Sequence, residues 1–230
     1  MTLEGYLLVG KPSGITSFSI IHKLRKKTGV QKIGHAGTLD PFAEGLMIVL
    51  VGRRFTRLAD HFMQRDKEYL AALVLGASTD THDHTGKICT QSAIIPTRRE
   101  IDAVVGKFQG SLEQIPPMYS AKKVGGKRLY DFARRGREIP RLPCQVFVES
   151  KIIRYDYPEL ELDISCSKGT YIRTLADDMG KMAGCGAYVN KLTRVRSGKF
   201  SLNDATPLEK LLDPDVAICD YLRQDVDDLP

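Results

Sequence analysis

The segment Gly34-His35-Ala36-Gly37-Thr38-Leu39-Asp40-Pro41 places a short carboxylate between a glycine-rich turn and a proline, just ahead of an apolar run. An aspartate so placed is either a nucleophile at the edge of a core or a turn residue whose carboxylate satisfies nearby backbone donors. A second segment, Ser165 to Asp178, brings Tyr171 and Arg173 near the start of a helix. An arginine buried beside a carboxylate holds it ionised through paired hydrogen bonds, as a nucleophile requires. The same Arg173 could instead pair with Asp177, one helical turn on. Spacing alone leaves both alternatives open. The run Asp80-Thr81-His82-Asp83-His84 alternates metal-ligating types, but it lies in a polar stretch that reads as a turn, so no metal is expected there.

The elements that must position these residues can be read from periodicity and punctuation. Tyr6 to Val9 reads as a strand ending in a turn at Gly10 to Gly14. Ser17 reads as the cap of a helix with Ile20, Ile21 and Leu24 inward and Lys23, Arg25, Lys26 and Lys27 outward, stopping at Gly29. The unbroken apolar run Leu46 to Val51 predicts a strand buried on both faces, so the Asp40 loop is anchored at the core. A helix is expected over Phe55 to Gln64, a strand over Tyr69 to Leu75 and a turn over Ser78 to Lys87. Thr97 to Glu100 has the spacing of a capping box that starts a helix reaching Phe108.

Gln109 to Pro143, with Pro116-Pro117 and Gly125-Gly126, reads as a long excursion from the core with one helix near Leu129 to Arg135. Strands over Val146 to Arg154 and Leu160 to Cys166, a helix over Tyr171 to Met182 and a strand over Tyr188 to Val195 complete the chain. Strands and helices follow one another without regular alternation, which predicts an α+β fold rather than a doubly wound sheet.

Composition narrows the function class. The 230 residues are 42% hydrophobic and 27% charged, which excludes a disordered or fibrous chain. A formal charge of +6 and a pI near 9.0 favour a polyanionic partner, although a solvated basic surface has the same composition. The charge is uneven: Lys122 to Arg141 holds eight Lys or Arg against Asp131 and Glu138. Asp220 to Pro230 holds four Asp and one Arg and reads as a frayed acidic tail. Five scattered cysteines without a CxxC pair, and the lack of a signal-like start or a membrane-length apolar run, predict a soluble cytoplasmic protein.

Six segments then carry a resemblance: Lys11 to Ser17, Gly34 to Gly45, Lys67 to Tyr69, Leu75 to Thr81, Gln114 to Ala121 and Ser167 to Arg173. In this order they resemble the motifs of TruB-type tRNA pseudouridine synthases, over a span from about Tyr6 to Leu212. The resemblance implies a central mixed, mainly antiparallel sheet flanked by helices. It implies a catalytic domain over residues 1–212, with residues 120–143 as a basic insertion that closes on the T-arm of tRNA. Residues 213–230 would be an acidic tail in the place where bacterial relatives continue into an RNA-binding PUA domain.

It also implies residue roles. Asp40 is the catalytic aspartate, Arg173 its ion-pair partner, and Tyr171 lies against carboxylate and base. Tyr69 stacks on the flipped uracil, His35 enters the T-loop, and Leu192 lines the base pocket. Lys67, Arg134 and Arg135 are expected to bind RNA. The implied reaction isomerises uridine 55: the base leaves its stack, the carboxylate attacks C1′ of the sugar or C6 of the uracil, and C5 replaces N1 as the point of attachment. Neither route needs a metal or other cofactor. The implied protein is a monomer without a guide RNA. A tRNA-binding factor without catalysis and a guide-dependent relative are the alternatives, and retention of Asp40, Tyr69, Tyr171 and Arg173 weighs against the first. The chain departs from many relatives at Ala36 and at Phe42-Ala43-Glu44, where Glu44 adds negative charge close to Asp40 in sequence.

Overall fold

The computed structural model describes residues 3–63, 66–120 and 122–225. In chain order the elements are β1 (Gly5–Lys11), α1 (Ser17–Thr28), β2 (Ile33–His35), β3 (Glu44–Val51), α2 (Gly52–Thr56), α3 (Ala59–Met63) and β4 (Lys67–Leu75). There follow β5 (Ala77–Thr79), β6 (Ile88–Gln91), α4 (Arg98–Lys107), β7 (Gly110–Gln114), β8 (Lys123–Val124), β9 (Lys127–Arg128) and α5 (Leu129–Ala133). The chain ends with β10 (Cys144–Asp156), β11 (Glu159–Cys166), α6 (Ile172–Met182), β12 (Ala187–Ser197), β13 (Phe200–Ser201), β14 (Thr206–Pro207) and α7 (Leu208–Leu212). They form two compact units, one from the chain up to Lys67 together with the chain from Thr193 onward, the other from Glu68–Leu192.

In the first unit β1 pairs antiparallel with β3 and parallel with β14, and β3 pairs parallel with the end of β12 at Thr193 and Arg194. Side chains alternate across these strands. Leu7, Val9, Met47, Val49 and Val51 pack with Ile20, Ile21 and Leu24 of α1 and Leu208 and Leu211 of α7. Tyr6, Leu8, Leu46, Ile48 and Leu50 join Phe55, Phe62 and Phe200 in a second cluster. Both faces of β3 are thus covered, as its apolar run predicts, and each such fully buried aliphatic side chain contributes about 1.5–3 kcal/mol relative to exposure.

In the second unit β11 and β7 flank β10 antiparallel, with a bulge between Ile152 and Arg154. β4 buries alternate residues, Tyr69, Ala71, Leu73 and Leu75. The helices α4 and α6 bury Ile101, Val104, Leu175 and Met179. Gly180 of α6 has no room for a Cβ, because it would collide with the Ala187 backbone. The fold is α+β with mixed, mainly antiparallel pairing.

Several expectations need correction. Thr16, not Ser17, caps α1, accepting from Ser19 N–H, while Ser17 is the first helical residue and is buried. The helix expected over Phe55 to Gln64 is two short helices that bring both Phe55 and Phe62 against the Tyr6 ring; Gln64 lies outside the described residues. Gly110–Gln114 is a paired strand, so the excursion begins only after Gln114. The C-terminal segment is not frayed from Asp220: Tyr6 and Arg223 exchange two backbone hydrogen bonds of 2.9 Å, Tyr6 donates its hydroxyl to Asp225, and Ile218 is buried. Residues 226–230 of the expected tail lie outside the described residues.

Candidate active site

In the first unit, the loop that carries Asp40 is fixed from below by four side chains. The Ser17 hydroxyl accepts from Leu39 N–H and donates to the Leu39 carbonyl, both at 3.0 Å, while Ser13 donates to the Phe42 carbonyl at 2.7 Å. Lys11, 2% exposed, spends all three ammonium hydrogens on carbonyls: Pro12 at 3.0 Å, Pro41 at 3.1 Å and Ala43 at 2.5 Å. Arg194, 1% exposed, donates from Nε to the Leu46 carbonyl at 2.8 Å and from its terminal nitrogen to that of Gly37 at 3.4 Å, gripping both ends of the loop. Gly45 (φ 110°) allows this approach, since a Cβ there would collide with the Arg194 backbone.

Two buried cations behind one loop carry an electrostatic consequence. Burial pushes the Lys11 ammonium down to about 8 from 10.5, and Arg194 adds to the fall, while Asp40 and Glu44 oppose it. Glu44, a departure from the motif, accepts from the Thr193 hydroxyl at 3.0 Å. His35 sits half-buried on β2 opposite Val49. Lys67 is 8% exposed, with its ammonium 2.8 Å from the Met63 carbonyl, a hydrogen bond that ties the start of β4 to α3.

In the second unit, Tyr171 is the N-cap residue of α6. Gln114 clamps it, accepting from Tyr171 N–H at 2.7 Å and donating to the Tyr171 carbonyl at 3.1 Å. Arg173, 3% exposed, donates to the carbonyls of Thr81 at 2.8 Å and Tyr119 at 2.7 Å and lies 3.6 Å from the Asp83 carboxylate. Asp83 is itself held by Thr81 and by the N–H and hydroxyl of Thr85. The segment Asp80 to His84 is thus the turn that seats Arg173. The alternative pairing with Asp177 is overturned, because Asp177 binds Lys181 at 2.5 Å and lies 3.7 Å from His82. Tyr69 and Leu192 are buried, 7% and 5% exposed.

The basic insertion divides by exposure. Arg141 donates to the Pro116 carbonyl and to Glu138, and Lys122 binds Cys144, so these two anchor the loop. Lys127, Arg134, Arg135 and Arg137 are exposed, and Arg134 lies over the Tyr130 ring, 5.3 Å from its centroid.

Comparison with known proteins covers most of the chain. The family model described as TruB family pseudouridylate synthase, N-terminal domain, matches residues 25–172. That described as tRNA pseudouridylate synthase B C-terminal domain matches residues 173–227. The chain belongs to the TruB family. It is an isomerase, a pseudouridine synthase of this tRNA-modifying type.

Among its relatives, tRNA pseudouridine synthase B of Chlamydia abortus is 54% identical over 96% of this chain and 94% of the relative. That of Chlamydia trachomatis is 50% identical over 96% and 92%, and that of Clostridium kluyveri 40% over 91% and 72%. Among solved structures, a chain of a Cbf5–Nop10–Gar1 complex matches 91% of the TruB-family chain with a TM-score of 0.71 and 26% identity. A chain of an H/ACA RNP bound to a substrate RNA matches with a TM-score of 0.68 at 24% identity, which bears on fold alone. The TruB-family chain spans 54% and 52% of those two chains.

Motif reading gave no supporting role to Lys11 and Arg194, which hold the Asp40 loop in the first unit, or to Gln114 and Asp83, which hold Tyr171 and Arg173 in the second. Lys11 and Gln114 open two of the segments that carry the resemblance and Asp83 lies in the Asp80 to His84 turn, whereas Arg194 left no such signal.

Proposed function

We propose that this TruB-family isomerase acts on uridine 55 in the T-loop of tRNA, with Asp40 as the nucleophile. The observation that supports this reading is the immobilised loop. Each backbone carbonyl from Leu39 to Ala43 accepts a hydrogen bond, Asp40 O from Ala43 N–H at 3.1 Å and the others from Lys11, Ser13 and Ser17. A carboxylate on so fixed a backbone reacts without paying for orientation at the moment of attack. A turn residue serving only local donors has no need of two buried cations beneath it.

The target uridine leaves its stack at a cost of about a few kcal/mol, and stacking on Tyr69 returns about 1–3 kcal/mol. Asp40 then attacks C1′ of the ribose or C6 of the uracil, the base turns, and C5 joins the sugar. Arg173 is the cation of the reaction, oriented by Thr81, Tyr119 and Asp83. Tyr171 bears on the base, Leu192 lines the pocket for it, and His35 fills the space it leaves. Arg134 and Arg135 bind the phosphates of the T-arm. The protein works as a monomer in the cytoplasm, without a guide RNA. Incubation with an unmodified tRNA transcript, followed by carbodiimide treatment and reverse transcription, should stop synthesis at position 55; a stop at another uridine instead would refute the T-loop assignment.

A further inference from the structure

Between Glu4 and Asp40 the chain carries six Lys or Arg and not one Asp or Glu. Lys11 is used inside the core, Arg25 donates to the Ile33 carbonyl and Lys27 to those of Asp213 and Pro214. Lys23 and Lys26 of α1 are exposed and have no ion-pair partner among the described residues. They share the helix face with His22, also exposed, and with Phe18, which is 65% exposed. Phe18, His22 and Lys26 are spaced i, i+4, i+8, one stripe along the helix with Lys23 beside it. Among the described residues of the first unit, Phe18 is the one large apolar side chain left exposed; every other such residue lies in Glu68–Leu192.

An aromatic ring kept in water at the head of an unopposed basic stripe is a poor choice for solubility and a good one for RNA, where the ring stacks a base and the ammonium groups meet phosphates. The start of α1 is tied to the reacting loop, because Ser17, one residue before Phe18, holds Leu39, one residue before Asp40. From there the helix runs 12 residues, about 18 Å. We propose that the exposed face of α1 is a second RNA contact surface, on which Phe18 stacks a base and Lys23 and Lys26 bind phosphates of a tRNA strand next to the one held at Asp40. This rests on the tRNA reading above and adds a surface that the basic insertion does not supply.

The test is equilibrium binding of a tRNA transcript across a salt series. It compares wild type, Phe18→Ala, Phe18→Trp and the pair Lys23→Glu with Lys26→Glu. The pair Arg98→Glu with Arg99→Glu on α4 is a charge-matched control, and helical content is checked for each. Expected are a loss of about fivefold or more for Phe18→Ala, the low end for a base stacked on an aromatic ring, with Phe18→Trp binding at least as well as wild type. The lysine pair should bind more weakly and lower the slope of log affinity against log salt by about 0.7–0.9 for each phosphate no longer neutralised. Unchanged affinity in both Phe18→Ala and the lysine pair, or an equal loss in the α4 control, overturns the proposal while leaving the isomerase reading intact. Wild-type protein that neither binds tRNA nor isomerises it overturns the tRNA reading itself, and this surface with it.

Discussion

Ser17 and Leu39 form a reciprocal pair: one hydroxyl answers both backbone groups of the residue before Asp40, accepting from its N–H and donating to its carbonyl, each at 3.0 Å. The serine that reads as a helix cap is therefore a rivet between α1 and the reacting loop, and the capping falls to Thr16. Ser17→Ala leaves a buried donor and acceptor unpaired. Urea unfolding should show a loss of about 1–3 kcal/mol, and turnover should drop by roughly tenfold or more as the carboxylate loses its register. Full turnover in this variant would show that the loop is placed by other contacts.

Lys11 makes stability depend on pH in the alkaline range. Its folded value of about 8 lies below the ordinary 10.5, so between those values the unfolded chain holds a proton that the folded chain has released. The unfolded state therefore binds more protons, and stability rises as pH increases through that window. Chemical unfolding at both ends of the window should show a gain in the wild type that Lys11→Met lacks; an equal gain in the variant would assign the effect to other groups.

Arg134 and Arg135 are exposed, and neither anchors the insertion, so replacing both with Glu should leave thermal unfolding unchanged. The double variant should bind tRNA more weakly, with the salt slope reduced by about 0.7–0.9 for every phosphate it fails to neutralise. Affinity unchanged at low and moderate salt would make the insertion a solvated basic loop.

The parts of the fold that local rules govern were legible in the sequence. The apolar run of β3, the Thr97 and Glu100 capping box and the glycine stop at Gly29 all stand where spacing puts them. What the sequence hid depends on partners far along the chain. A helical period over Phe55 to Gln64 cannot show that two phenylalanines must reach one tyrosine ring on β1, which breaks the helix in two. The acidic composition after Asp220 suggests fraying, yet Arg223 pairs with Tyr6 across more than two hundred residues. Motif matching singled out Asp40 and Arg173 but not what immobilises them, since the carbonyls gripped by Arg194 and the carboxylate of Asp83 gain their roles only through folding.

Every step of the proposed reaction depends on Asp40 being the nucleophile of uridine isomerisation. Moving the glycosidic bond to C5 must expel the hydrogen there, so a tRNA transcript tritiated at uracil C5 reports the reaction. Tritium release is expected from the wild-type protein and none above background from Asp40→Asn, with tRNA binding and the unfolding transition retained. Release by Asp40→Asn at a rate near that of the wild type would contradict this role for Asp40.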